Sequence, residues 1–256
     1  LKRMPVGATA ILRALYGIIS PKQANPVTVA DFAEAYLGQT VAENIVNPAF
    51  GGIYAADIAD LSFPLTMPDV AKAQQEGGSL GVKLFQRKKS GGRQGTHSFK
   101  GGLQAAIDAL ARYLEKEIQY GSRVGPEKLQ DGEWIITAPA HTASKLFEGE
   151  MAELLNDVAY IPLAAVNFIF EKNAVSGLKT GFGAVISREE GLKTIGILFN
   201  HNIFPQHLKK DVISFTCIMR DHYKGAPEFI HKPKPDIAQL AKGELQQIFQ
   251  INQEPL

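Results

Sequence analysis

Histidine and cysteine are the residues whose spacing would first reveal metal chemistry in this chain. The sequence contains six histidines and one cysteine, Cys217. No two histidines have the H-E-x-x-H spacing of a zinc site, and Cys217 has no second thiol for a disulfide or a metal centre. The sequence therefore predicts no metal site, and we expect no serine-hydrolase chemistry.

Glycine spacing is the second chemical signal, because a dinucleotide cofactor needs a glycine-rich turn for its phosphates. That turn reads G-x-G-x-x-G between a strand and a helix, and the helix N-terminus faces the pyrophosphate. Gly181 and Gly183 begin such a pattern, but Ile186 stands at the third glycine position and a strand is predicted to follow. The pair Gly51-Gly52 lies among apolar residues, which predicts a tight turn or a close approach of the backbone to a neighbour.

Helical periodicity is the main signal in the first part of the chain. Apolar residues recur at helical spacing over Ala8–Ile18. Thr28 with Asp31 predicts an N-cap, and Gly38 predicts the end of the helix that follows. A further helix is predicted from Thr40 and is expected to end by Asn47, because a residue before proline is biased out of the helical region.

The middle of the chain predicts a loop, a helix and a strand. Gln86–Gln94 is polar and basic and predicts a surface loop. The residues Trp134–Thr137 predict a buried strand. The amphipathic helix after Gly102 has a predicted buried face made of Leu103, Ala106, Ile107, Leu110, Tyr113 and Leu114.

The last hundred residues change to strand-like patterns. Two of these runs, Phe182–Ser187 and Thr194–Phe199, are close enough in sequence to form a hairpin. The mixed polar and apolar positions favour antiparallel pairing. A helix is predicted at Ile237–Phe249. The four β-like runs are Ala164–Glu171, Phe182–Ser187, Thr194–Phe199 and Val212–Met219. We therefore predict an α+β fold with an antiparallel sheet.

Composition limits the partners and the compartment. The net charge of +1 gives no electrostatic case for nucleic acid. No segment has the ~20 apolar residues of a membrane span, and a single cysteine favours a reducing compartment such as the cytoplasm. Basic and apolar residues alternate at helical spacing near the start of the chain, which leaves a peripheral membrane contact open beside the commoner role of packing on the protein itself.

An ordered set of sequence strings resembles the protoporphyrinogen oxidases of the flavin amine-oxidase superfamily. The strings occur in the family's order and cover nearly the whole chain, and Gly181–Val185 with Gly191–Phe199 is the most specific match. The other strings are Thr28–Phe32, Leu37-Gly38, Val46–Pro48, Gly51–Asp57, Ser98–Leu103 and Thr137–Ala140.

The resemblance implies an FAD enzyme that oxidises protoporphyrinogen IX to protoporphyrin IX with molecular oxygen, in heme biosynthesis. Coproporphyrinogen stays an alternative substrate, because both rings suit an apolar slot. By resemblance, Val185 and Leu198 sandwich the ring, and Gly52 lets the backbone approach it. The remaining implied substrate residues are Phe182 and Gly183 along the ring edge, and Ile218 where relatives carry an aromatic residue; the implied FAD residues are Thr137, Ala138 and Pro139.

The resemblance also implies three regions. Residues 1–95 resemble a helical substrate-entrance and membrane-contact region, and residues 96–142 resemble a strip of an FAD-binding domain. Residues 143–256 resemble the antiparallel substrate-binding sheet with a C-terminal helix. The match is to an internal portion of the family without its N- and C-terminal FAD-binding segments, so the chain alone is expected to be inactive. Arg220-Asp221 replaces a glycine pair of the family.

Two other functions stay open at this stage. One is a different flavin amine-oxidase-type oxidoreductase, such as a desaturase or an amine oxidase, because these enzymes share a fold and differ in their substrate tunnel. The other is a non-catalytic module that binds a tetrapyrrole or a membrane surface. The sequence does not fix the oligomeric state, and a homodimer is one alternative.

Overall fold

The chain forms two compact units. The computed structural model describes residues 6–20, 24–83, 97–130, 132–175, 180–187, 190–221 and 229–256. One unit consists of Leu1–Ser90 with Ile161–Leu256, and the other of Gly91–Tyr160. The predicted loop Gln86–Gln94 and the predicted boundary at residue 95 lie outside the described residues. The division into the three functional regions 1–95, 96–142 and 143–256 stays a prediction. Most of the first region and most of the last region belong to the same compact unit.

The first unit begins with helices. Its helical part contains a π-helical turn at Ala42–Val46, between two α-helices. The α-helices described from end to end are α1 (Ala8–Ile19), α2 (Val29–Leu37), α3 (Gln39–Val41), α4 (Asn47–Tyr54), α5 (Phe63–Thr66) and α6 (Pro68–Gln75).

The predicted cap of α2 is confirmed. The Asp31 N–H donates to the Thr28 hydroxyl at 3.1 Å, and the Thr28 N–H donates to the Asp31 carboxylate at 2.8 Å. These bonds form a reciprocal capping box, and the donation from the Thr28 amide is the main cause that lowers the pKa of Asp31. Gly38 follows α2 with a φ of 86°, a value that favours glycine, so the predicted helix end is also confirmed.

The prediction that the next helix ends by Asn47 is wrong. Asn47 has helical dihedrals (φ −60°, ψ −48°), and α4 starts there. Pro48 is tolerated because it lies in the first turn of α4, where a helix has no partner for a backbone N–H, and the π-helical turn supplies the local change of hydrogen-bonding pattern. The Gly51-Gly52 pair therefore lies on a helix, and the tight-turn alternative is excluded.

The described residues of the second unit form three short α-helices, and two sequence predictions fail there. They are α7 (Gln104–Tyr113), α8 (Ala140–Ala143) and α9 (Glu150–Asn156). The predicted buried face of α7 is exposed, with Leu103 at 71% and Tyr113 at 84%. The segment Trp134–Thr137 is not a strand, and Ile135 is 93% exposed. The physical reason is that the described residues of 97–130 and 132–160 offer no strand to pair with this segment and no layer to cover the helix.

The sheet of the first unit confirms the predicted α+β class. Its four strands are antiparallel in the order β1-β4-β3-β2, and the β2–β3 hairpin matches the prediction. Two further helices follow strands in the chain, α10 (Asn200–Ile203) and α11 (Lys234–Phe249). The strands are β1 (Leu163–Glu171), β2 (Gly183–Val185), β3 (Thr194–Phe199) and β4 (Val212–Arg220).

One face of the sheet, the core face, is packed with aromatic and aliphatic side chains. Side chains alternate between the two faces of a strand, and on β4 the core face takes Ile213, Phe215, Cys217 and Met219, all of which are buried. The Phe215 ring stacks on Phe249 of α11 with ring centroids 5.4 Å apart. Because α11 and the aromatic cluster cover this face, alternation directs the other half of the strand side chains to the opposite side.

Candidate functional site

The opposite side of the sheet, the open face, is mostly apolar; it is exposed along the edge strands, whereas Ile218 is half-buried and Gly196 is buried. We define it by the cross-strand row Ala165–Ile218–Gly196–Val185, in which each residue pairs with its neighbour in the register. Val185 is 51% exposed, although its chain neighbour Ile186 is buried. A continuous apolar surface across four strands is suited to a broad apolar ligand.

Five of the six predicted substrate residues come together at this face. Val185 and Ile218 lie in the defining row, and Leu198 and Gly183 form a pair in the next row. Gly52 approaches the face from α4. Phe182 directly precedes β2, its carbonyl accepts a hydrogen bond from the Phe199 N–H at 2.9 Å, and its side chain is 78% exposed. Their roles toward a ligand remain predictions.

Helix α4 forms a wall beside the open face. A Cβ added to Gly52 would lie 3.2 Å and 3.3 Å from the two Cγ atoms of Val185. The glycine therefore allows close packing of the helix on β2, which confirms a close backbone approach and identifies Val185 as the neighbour. By contrast, a Cβ on Gly183 would lie 2.2 Å from the Ile197 carbonyl oxygen, so the glycine there is required by strand pairing.

Gly196 has no side chain and therefore leaves a gap in the middle of the open face. A Cβ added there would meet only the Ala184 carbonyl oxygen, at 3.7 Å. Its pairing partner Ile218 and its other neighbour Val185 both carry side chains on the open face. The site therefore has a shallow groove over β3.

Arg220 and Asp221 tie α4 to the sheet. The Arg220 guanidinium donates to the Ala55 carbonyl at the C-terminal end of α4, and its Nε donates to the Asp221 carbonyl at 3.0 Å. The Asp221 carboxylate accepts from the Phe229 N–H at 3.1 Å and pairs with Lys193 at 3.3 Å. Both charged residues are buried, and buried charges need such partners. Arg220 and Asp221 thus fix the wall, a role that the sequence pattern did not reveal.

A β-bulge sets which side chains of β3 reach the open face. The register shifts between Thr194 and Gly196, so Thr194 pairs with Met219 while Gly196 pairs with Ile218. The shift places Gly196 and Leu198 on the open face, whereas regular alternation from Thr194 would put them on the core face. Glu244 of α11 accepts from the N–H groups of Lys193 and Thr194, both at 2.8 Å.

A group of polar side chains, the polar strip, continues the open face beyond Leu198. We define it as Asn167, Thr216, Asn200 and Ser214. Asn200 Nδ2 donates to the Thr216 hydroxyl at 2.8 Å and to the Ser214 hydroxyl at 3.2 Å, and the Thr216 hydroxyl donates to Asn167 Oδ1 at 2.5 Å. The open face therefore has an apolar part and a hydrogen-bonding part.

The predicted cofactor residues lie in the second unit. Thr137, Ala138 and Pro139 are exposed and lead into the short helix α8. The Ala140 N–H at the start of this helix donates to the Tyr160 hydroxyl at 2.8 Å, so it is not available to a phosphate. No glycine-rich strand-to-helix turn occurs among the described residues. These residues do not by themselves fit FAD, because they offer an exposed edge but no phosphate site.

Two other reactive-looking features have structural roles. The string Gly77–Gly81 has the G-x-S-x-G pattern of a serine nucleophile, but it follows helix α6 and not a strand, and Ser79 Oγ accepts from the Val82 N–H at 3.4 Å. Cys217 is fully buried on the core face, and burial raises its pKa to about 12. Its thiol is therefore protonated at neutral pH and packs as an apolar side chain.

Comparison with known proteins supports the resemblance seen in the sequence strings. No protein-family model matches the chain. It is 26% identical over 278 residues to protoporphyrinogen oxidase 2, chloroplastic/mitochondrial, of Arabidopsis thaliana, with 90% of this chain and 54% of that protein covered. It is 24% identical over 289 residues to coproporphyrinogen III oxidase of Staphylococcus aureus (strain NCTC 8325 / PS 47), with 90% and 61% covered. The curated relatives of the chain are porphyrinogen oxidases.

Solved structures show the fold. A protein from Exiguobacterium sp. 255-15, assigned provisionally as a protoporphyrinogen oxidase, superposes with a TM-score of 0.75 at 17% identity over 98% of this chain and 58% of that one. A reduced UDP-galactopyranose mutase superposes with a TM-score of 0.61 at 10% identity, over 97% and 57%. An oxidase and a mutase thus share this fold, which does not by itself select a reaction. The chain spans about half the length of most of the curated oxidases that it matches.

We expect Glu244→Gln to destabilise the chain by about 2–3 kcal/mol, because an amide nitrogen would face a backbone donor where a carboxylate oxygen now accepts. Urea unfolding followed by circular dichroism measures this change. The control is Glu254→Gln, which removes an exposed carboxylate paired with Lys242 at 2.8 Å and should cost at most about 1 kcal/mol. Equal losses in both variants would show that Glu244 does not hold the bulge.

Proposed function

We propose that this chain forms the tetrapyrrole-binding part of an FAD- and oxygen-dependent oxidase that converts protoporphyrinogen IX to protoporphyrin IX. The observation that carries the proposal is the open face, where Gly52, Val185, Gly183, Leu198 and Ile218 come together on one side of the sheet. Two families of curated relatives act on porphyrinogens by name, which supports a tetrapyrrole as the ligand class.

The physical fit comes from shape and polarity. A porphyrinogen is a broad apolar macrocycle with carboxylates at its rim, and burial of apolar area drives the binding of such a ring. The row from Ala165 to Val185 offers apolar contacts across the whole width of the sheet. Helix α4 borders the open face on one side, where Gly52 packs against Val185.

FAD and oxygen are part of the proposal because the named relatives are oxidases. A flavin supplies the acceptor for hydride when it is bound, and the chain's own contribution is to hold and orient the ring. Thr137, Ala138 and Pro139 stay a prediction as flavin contacts, because this segment offers an exposed edge and no phosphate site. We also propose the cytoplasm as the compartment.

A porphyrin titration tests whether the open face binds a tetrapyrrole, independently of catalysis. We expect the purified chain to shift the Soret absorbance of protoporphyrin IX in a saturable titration. Leu198→Trp should weaken binding about tenfold or more, because the indole occupies the floor and filling a fitted site costs ~1–3 kcal/mol. Gly196→Val should act in the same way by filling the groove over β3.

The matched control is Leu240→Trp, which adds the same ring to α11 on the other side of the sheet. Leu240 is 36% exposed, so this variant should bind porphyrin like the unmodified chain. Porphyrin affinity that is unchanged in Leu198→Trp and Gly196→Val would refute the pocket. Oxidation is then measured as porphyrin fluorescence from protoporphyrinogen IX in a preparation that holds FAD, and binding without oxidation would favour a non-catalytic tetrapyrrole module.

We further propose that α1 rests on a membrane surface. Apolar side chains with helical spacing are exposed on this helix: Ile11, Leu12, Leu15, Tyr16 and Ile19. An exposed apolar stripe of this kind is suited to the lipid interface. Among the described residues, no helix combines the length and the hydropathy of a bilayer span.

Vesicle sedimentation tests the contact of α1. The chain should sediment with phosphatidylcholine vesicles containing anionic lipid, and Leu12→Glu should reduce the bound fraction because a charge replaces a side chain that enters the interface. Leu256→Glu is the control, since Leu256 is equally apolar and 73% exposed but lies beside β1. A bound fraction that both variants leave unchanged would contradict a role for α1.

A further inference from the structure

The polar strip has a direction that the sheet alone does not require. Asn200 Nδ2 donates to Thr216, so Thr216 uses its own hydroxyl proton on Asn167 Oδ1. This chain of bonds crosses from the end of β3 over β4 to β1. Hydrogen bonds in such a chain polarise one another, and the carbonyl of the Asn167 amide is held in place at its end.

The arrangement leaves the Asn167 NH₂ group as a presented donor. Asn167 is exposed on the open face, and within the described part of the chain its Nδ2 has no hydrogen-bond acceptor. Its same-face neighbours on β1 are Leu163, Ala165 and Ile169, all apolar. A single oriented amide in an apolar strand surface is the kind of polar group that fixes the orientation of a ligand in an otherwise apolar site.

Position on the sheet identifies the part of a ligand that would reach this amide. Strands β1 and β2 are the two edges of the sheet, separated by three strand spacings, which is about 14 Å. A macrocycle centred over the Gly196 groove covers the inner strands β3 and β4, so its rim would extend to β1. The rim of a porphyrinogen bears the carboxylates, and a carboxylate is an acceptor that pairs with amide N–H donors.

We propose that Asn167 binds a peripheral carboxylate of the tetrapyrrole and so sets the rotation of the ring on the open face. This inference rests on the proposed function, because it requires a porphyrinogen at this face. The relay residue Thr216 is a positioning residue, which acts by holding the Asn167 amide. Buried Arg220 also lies on the open face, but its donors are engaged with Ala55 and Asp221.

The test compares a ligand that has carboxylates with one whose carboxylates are esterified. Protoporphyrin IX and its dimethyl ester are titrated in the same detergent buffer, with Soret absorbance as the readout. Asn167→Asp keeps an acceptor for the Thr216 hydroxyl but removes both N–H donors. We expect it to weaken binding of the free acid about tenfold or more, the effect of losing a hydrogen bond to a charged group, and to change binding of the ester less than threefold, roughly the scale of a rim contact.

Two further variants separate the contact from charge and from folding. Asn173→Asp adds the same charge in the turn after β1 and should leave both affinities unchanged. Thr216→Val keeps the side-chain shape but removes the hydroxyl that donates to Asn167 Oδ1, so it should reduce the ratio of free-acid affinity to ester affinity. Thr216→Ser keeps the hydroxyl and should retain that ratio.

The outcomes distinguish this inference from the proposed function. Equal weakening of acid and ester in Asn167→Asp, or no weakening of either, would overturn the carboxylate contact while the pocket stands. If the unmodified chain binds neither porphyrin, the proposed function fails and this inference fails with it. A selective loss for the acid in Asn167→Asp, with Asn173→Asp unchanged, supports both.

Discussion

The packing of α11 on the core face of the sheet is the interaction on which the candidate site depends. Phe215 and Phe249 stack there, and Phe199 meets both rings edge-on at 5.7 Å. Burying Phe199 and Phe215 stabilises this layer by ~1.5–3 kcal/mol for each, and the half-buried Phe249 adds to it. Because strand side chains alternate, this burial fixes which half of each strand faces outward. The open face is therefore a consequence of the core.

Buried carboxylates adjust this arrangement where alternation alone would fail. Glu244 accepts the two N–H groups that precede the bulge, and a buried donor without a partner costs about 1–3 kcal/mol. Asp221 accepts the N–H groups of Phe229 and Ile230 and pairs with Lys193. Together with Arg220 on the Ala55 carbonyl, these groups hold the bulge and the wall in place, so the groove over β3 is defined before any ligand binds.

The sequence predicted the strands well because their signal is local. The period of two and the turn residues identified four strands and the β2–β3 hairpin, and ordered motifs selected Val185, Leu198 and Ile218 before their shared face was visible. The bulge at Ile195 has no local signal, since Glu244 is 51 residues from Lys193. The role of Arg220 could not be predicted for the same reason, because its acceptor Ala55 is 165 residues away in the sequence.

The failed predictions have physical causes of a different kind. Periodicity predicted a buried face for α7 and a buried strand at Trp134–Thr137, but apolar periodicity states only that a face suits burial. Burial also needs a covering layer, and the described residues of the second unit do not provide one. The predicted helix end at Asn47 rested on the general bias against helical dihedrals before proline. That bias is overridden because Pro48 lies in the first turn of α4, after a π-helical turn, where the missing N–H costs nothing.

The proposed function requires a tetrapyrrole to lie flat on the open face. Methyl-resolved NMR of the chain with and without protoporphyrin IX tests it directly, because the ring current of a porphyrin shifts the resonances of methyl groups beneath it. We expect large shifts for Val185, Leu198, Ile218 and Ala165, and small shifts for the core-face residues Ile197 and Ile213. Shifts confined to other methyl groups, with the four open-face residues unchanged, would contradict it.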